Sequence, residues 1–143
     1  MSARPWLFDD DTIEMFVDGD CDRLALALAS LCQDCRIYAI KEEKHDDIPI
    51  HYVCKFPKSI SKYPYVDIYG AWTEGELLQF WEEQGYTNLH FLEETPKGVR
   101  AADINDALLY AKKIMKLITH YQKEDSLEDR LNTVIKNANN SKF

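Results

Sequence analysis

The apolar positions change period several times along the chain, and each change marks an element. After Trp6-Leu7-Phe8, the polar run from Asp9 to Thr12 supplies a cap for a short helix over 13–16 that ends at the Gly19 turn. Residues 24–29, an alternation of leucine and alanine, are apolar on nearly every side. The helix that begins at Cys21 and runs to about residue 34 is therefore expected to be buried. The pattern then becomes β-branched and aromatic, with strands at 36–40, 48–56 and 65–69 separated by a charged turn and a polar loop. Pro49 falls near the start of the second strand, where a missing N–H is tolerated. Thr73 and Glu76 have capping-box spacing ahead of a helix over 77–81 that stops near Gly85, and residues 89–92 read as a fourth strand.

Helical period returns in the C-terminal third. Asp103 reads as the cap of a long helix whose apolar stripe is Ile104, Ala107, Leu108, Ala111, Ile114, Met115, Ile118 and Tyr121. Ser126 reads as the cap of a last helix reaching about residue 137, with Leu131, Val134 and Ile135 on one face, and 138–143 as a frayed tail. There is no internal repeat and no long linker, so residues 1–137 are read as a single domain. The order α–β–β–β–α–β–α–α with short connections predicts an α+β fold. A small antiparallel sheet of three to four strands would pack against the N-terminal cysteine-bearing helix and the long C-terminal helix.

Charge and composition narrow the function classes. With 143 residues, 45% of them hydrophobic, the chain can bury a real core. A net charge of −8 argues against nucleic acid or an anionic membrane surface as a partner, and leaves open a basic protein or peptide as substrate or partner, or simple solubility. The first residues hold no apolar run of signal-peptide length and no stretch approaches membrane-spanning length, so a cytoplasmic protein with four reduced cysteines is expected. Five glycines leave little room for a phosphate-cradling loop, and no cofactor is expected. Cys32 and Cys35 form a lone CxxC at a helix end with no second pair to complete a zinc site, so no metal is expected either.

Three polar residues carry the candidate chemistry. Val17-Asp18-Gly19-Asp20-Cys21-Asp22-Arg23 delivers Cys21 to a helix N-terminus, where the dipole and unpaired N–H groups favour thiolate. Three acidic neighbours, Asp18, Asp20 and Asp22, oppose that charge. His51 lies on the second strand and Asp67 on the third. Neighbouring strands lie about 4.8 Å apart, so the two can meet on one face. Asp67, flanked by Val66 and Ile68, is costly to bury without a partner. The set supplies a nucleophile, a base and a carboxylate to orient the base. His90 is held as a reserve base, while His45 reads as solvated and His120 lies at the edge of the long helix's stripe, near its C-terminal turn, where a cation is mildly favoured.

A cysteine at a helix start, then a strand histidine, then a strand aspartate resembles the order of the transglutaminase-like and papain-like cysteine enzymes. The resemblance covers residues 17–81, in Gly19-Asp20-Cys21, Ile50-His51-Tyr52-Val53 and Tyr65-Val66-Asp67-Ile68-Tyr69-Gly70. The Asp67–Glu74 segment also resembles small bacterial and phage proteins that pair a Gly-Asp-Cys helix start with an Asp-x-x-Gly strand end. The resemblance implies acyl chemistry (amide or peptide hydrolysis, deamidation or acyl transfer) with Cys21 as nucleophile, His51 as base and Asp67 as orienter. No glutamine precedes Cys21. The oxyanion hole is therefore expected from backbone N–H groups at the helix start, or from Gln79 or Trp72. The contrasting expectation is a non-catalytic acidic interaction protein on the same scaffold, such as a phage-encoded inhibitor or an immunity-type protein.

Overall fold

A computed structural model describes residue 2 and residues 4–140. In chain order the elements are β1 (Arg4–Pro5), α1 (Asp10–Val17), α2 (Cys21–Leu31), β2 (Arg36–Glu42), a 3-10 turn (Glu43–His45), β3 (His51–Lys55), β4 (Tyr65–Val66), β5 (Gly70–Trp72), α3 (Glu74–Glu83), β6 (Leu89–Glu93) and α4 (Ala101–Asn140). The fold is α+β. Among the described residues six strands, not three or four, form one antiparallel sheet in the order β1-β5-β4-β3-β2-β6.

The extra strands have a physical origin. The run expected as one strand at 65–69 is broken by Asp67, whose carboxylate accepts the Tyr69 and Gly70 N–H groups at 2.9 and 3.3 Å. This closes an Asx-type turn and sends the chain back as β5. β1 is two residues long, too short to show a period. It runs so close to Gly70 that a Cβ there would collide with the Arg4 carbonyl and Pro5 Cα, and Gly70 has φ +154°.

Alternation along the strands divides the core in two. Cys54, Val66 and Ala71 pack with α2 and α4 on one face, while their chain neighbours Val53, Tyr65 and Trp72 pack with Leu77 and Trp81 of α3 on the other. Ala27 of α2 and Ala107 and Ala111 of α4 are wholly or almost wholly buried, and these small side chains allow the two helices close approach. The stripe of α4 faces this core, with Ala107, Ala111, Ile114 and Ile118 buried.

The starts of α1 and α3 follow their polar residues. Asp9 caps α1 by accepting the Thr12 N–H at 2.8 Å, and Thr73 with Glu76 forms a complete capping box on α3. Asp103 instead lies inside the first turn of α4 and takes the Arg100 N–H from there at 3.4 Å. Ser126 lies inside α4, since nothing between 119 and 130 interrupts the helix, and one helix of 40 residues replaces the two expected. Its end reaches Asn140, so 138–140 are helical; 141–143 lie outside the described residues. Cys32 and Cys35 are joined by a disulfide, against the expectation of reduced thiols, because the chain leaving α2 brings their Cα atoms to 5.4 Å. No helix among the described residues is long and apolar enough to cross a membrane.

Candidate active site

His51 opens β3, and Asp67 follows directly on the last residue of β4. The strands are antiparallel, so both residues fall at the same end of the sheet. β4 pairs with β3 only at Cys54–Val66 and Lys55–Tyr65, which leaves the start of β3 uncovered on that side. The N-terminus of α2, which packs along β3, brings Cys21 to this opening. Cys21, His51 and Asp67 border one narrow crevice, together with Leu24 and Tyr52, that has no space for a water molecule.

The His51–Asp67 contact is formed and dry. His51 Nε2 lies 3.0 Å from Asp67 Oδ2, and the two residues are 1% and 3% exposed. The second aspartate oxygen, Oδ1, accepts the Trp72 indole N–H at 2.9 Å in addition to the two turn amides. The Asp67 carbonyl accepts the Trp6 indole N–H at 2.7 Å. A buried carboxylate is costly unless its lone pairs are used, and these donors use them. The far side of the imidazole rests against Trp81, with ring centroids 5.0 Å apart.

The other ring nitrogen, Nδ1, is buried with no formed hydrogen bond among the described residues, and Cys21, which borders the same crevice, acts on the ring together with Asp67. Burial, the largest influence on Cys21, raises its pKa; His51 and the Tyr52 backbone N–H, which points at the sulfur, outweigh it and bring the thiol below its ordinary value. Asp22 works against this. Burial also opposes charge on His51, yet the hydrogen bond to Asp67 and the proximity of Cys21 hold its pKa up at about 9. Both shifts favour the thiolate–imidazolium pair.

Two of the acidic neighbours of Cys21 make contacts with Arg23. Asp20 makes no side-chain cap and pairs with Arg23 at 3.5 Å, while the Asp22 carboxylate accepts the Arg23 N–H at 2.8 Å. Leu24 N–H bonds to the Asp20 carbonyl, which leaves the first-turn amides of Cys21 and Asp22 without an intrahelical acceptor. Amides left free at the helix start that bears the sulfur are the kind of donor an oxyanion needs. Trp72 is not such a donor, because its N–H is spent on Asp67, and Gln79 reaches out to Glu83 at 3.4 Å.

The other candidates separate from this site. His90 lies on β6, with β2 between it and β3, and faces Asp46 at 3.3 Å. His120 pairs with Glu124 along α4. Among the described residues no group of three or more His, Cys, Asp or Glu side chains is placed to hold a metal ion. Sequence reasoning missed the two indoles that brace Asp67. The available signal was the proximity of Trp72, five residues on, to a buried aspartate. Trp6 left no such signal, being 61 residues away along the chain. No family model, curated protein or solved structure matches the chain.

Proposed function

We propose that the chain is a cysteine-dependent enzyme of acyl chemistry, an amide or peptide hydrolase, deamidase or acyltransferase, with Cys21 as nucleophile, His51 as acid–base and Asp67 as orienter. One observation carries the reading: a buried Asp67–His51 pair with its remaining ring nitrogen unpartnered, lining one crevice with a thiol held below its ordinary pKa. The Cys21 thiolate adds to the carbonyl carbon of an amide, and the first-turn amides receive the oxyanion. His51 then gives its proton to the departing nitrogen as the C–N bond breaks, leaving a thioester on Cys21. Water or an amine attacks the thioester, His51 takes its proton, and the C–S bond breaks to restore the thiolate. Asp67 keeps the ring oriented and stabilises the imidazolium throughout. The net charge of −8 supports a basic protein or peptide as substrate and weighs against nucleic acid.

A second reading, the acidic interaction protein, is favoured by one feature. Leu127, Leu131, Val134 and Ile135 of α4 are 57%, 53%, 63% and 56% exposed. Iodoacetamide labelling near neutral pH, with the modified cysteine mapped, decides between the two. Cys21 is expected to be alkylated far ahead of Cys54; equally slow labelling of both would remove the enzyme and leave the interaction protein.

A further inference from the structure

We infer that Trp72 is a positioning residue of this triad: its indole N–H commits one oxygen of Asp67 and so aims the other at His51. The inference rests on the reading of Cys21, His51 and Asp67 as the reacting set. A carboxylate has two oxygens and can turn about its last bond to present either. Here Oδ1 holds three donors, the Trp72 indole at 2.9 Å and the amides of Tyr69 and Gly70 at 2.9 and 3.3 Å, while Oδ2 meets His51 at 3.0 Å. Turning the group would break three contacts at once. The two amides belong to the turn that Asp67 itself closes. Among the described residues Trp72 alone holds Oδ1 from outside that turn, on β5, where it pairs with Tyr65 of β4.

Packing alone does not account for the contact. Trp72 is 1% exposed and lies against Tyr69 and Phe80, a place that phenylalanine would also fill. Trp81 supplies the comparison. It is 7% exposed, on the same face of the sheet and directly against His51, yet its indole N–H has no partner among the described residues. An indole buried beside this site is thus not compelled to bond the carboxylate; the placement of Trp72 does it. Because the proton on His51 depends on Oδ2, the influence of Trp72 extends through Asp67 and His51 to the Cys21 thiol without touching a reacting atom.

The test is the pH profile of Cys21 alkylation by iodoacetamide in wild type, Trp72→Phe, Asp67→Asn and the double variant, beside urea unfolding of each. Trp72→Phe is expected to move the Cys21 midpoint up toward that of an ordinary thiol, with the neutral-pH rate falling on the order of 10-fold. The double variant is expected to react no more slowly than Asp67→Asn alone, since Trp72 acts only through that carboxylate. A Trp72→Phe protein with the wild-type profile, whatever its stability, overturns the inference, as does a double variant whose losses add. A wild-type Cys21 that titrates as an ordinary thiol overturns the triad reading itself, and the inference with it. If Trp72→Phe does not fold, the indole N–H resonances of Trp72 and Trp81 in Asp67→Asn replace it. The Trp72 signal is expected to move more than that of Trp81, and an unmoved Trp72 signal overturns the inference.

Discussion

Cys21 is half-buried and Cys54 fully buried, and their thiols lie on opposite sides of the ordinary value. Cys54 sits in β3 among apolar side chains of α2 and α4, and burial alone pushes its pKa up to about 12. Cys21 feels burial too, but His51 and the Tyr52 amide bring it down. One short strand supplies both environments. His51 starts it and faces Asp67, while Cys54, three residues on, points into the opposite core. A buried thiol is therefore inert by default, and becomes a nucleophile only where a strand end leaves room for a base and a helix start.

Asp67→Asn should weaken this contrast most. The amide oxygen can still accept from Trp72 and the turn, which leaves the NH2 group facing His51 Nε2. The ring must then accept there and carry its proton on Nδ1, opposite the tautomer a thiol needs. The Cys21 alkylation rate should fall on the order of 10²-fold, with the triad effect as an upper guide. Stability should fall by less than about 2 kcal/mol, because the change is nearly isosteric. A variant that loses stability but keeps a reactive Cys21 would assign Asp67 to the fold alone.

A pH series sharpens the contrast from the other partner. The folded pKa of His51, about 9, lies above its ordinary 6.5. Its contribution to stability is thus complete below 6.5 and is lost as pH rises through about 9. The urea midpoint of wild type is expected to drop between pH 6 and pH 9.5 by more than that of His51→Gln. Equal drops in the two proteins would show that His51 gains no proton affinity on folding.

The smallest effect serves as a control. Thr73→Ala removes the capping box of α3 and should cost about 1 kcal/mol. Neither Cys21 nor Cys54 touches that cap, so their relative labelling should stay at the wild-type ratio while the urea midpoint falls. A changed ratio would tie α3 to the thiols more tightly than the Trp81–His51 contact implies.

The sequence displays what depends on neighbours along the chain. The Thr73–Glu76 box, the alternating Leu and Ala of α2 and the strand character of 36–40 and 51–55 are local signals, and each leads to the observed element. The meeting of His51 with Asp67 was legible because consecutive strands tend to be neighbours. The split of 65–69 was hidden, since the aspartate expected to orient a histidine is also the residue that turns the chain. The pairing of β1 with β5 was hidden for another reason: two residues joining partners 67 and 65 positions away carry no periodic signal. Likewise Ser126 has the chemistry of a cap, but the helix through it is decided by contacts at neighbouring turns, such as that between Asp125 and Arg4.

The tie between Trp6 and the Asp67 carbonyl makes Cys21 a reporter of folding order. Trp6, which follows β1, is synthesised before the aspartate turn it braces, and that turn is completed only after Trp72 has been added. α2 in turn is covered by α4, from the far end of the chain. An intermediate that lacks either terminal element would leave the thiol, the imidazole and the carboxylate unaligned. A refolding time course followed by quenched alkylation would therefore record the closing of the whole molecule at a single sulfur atom.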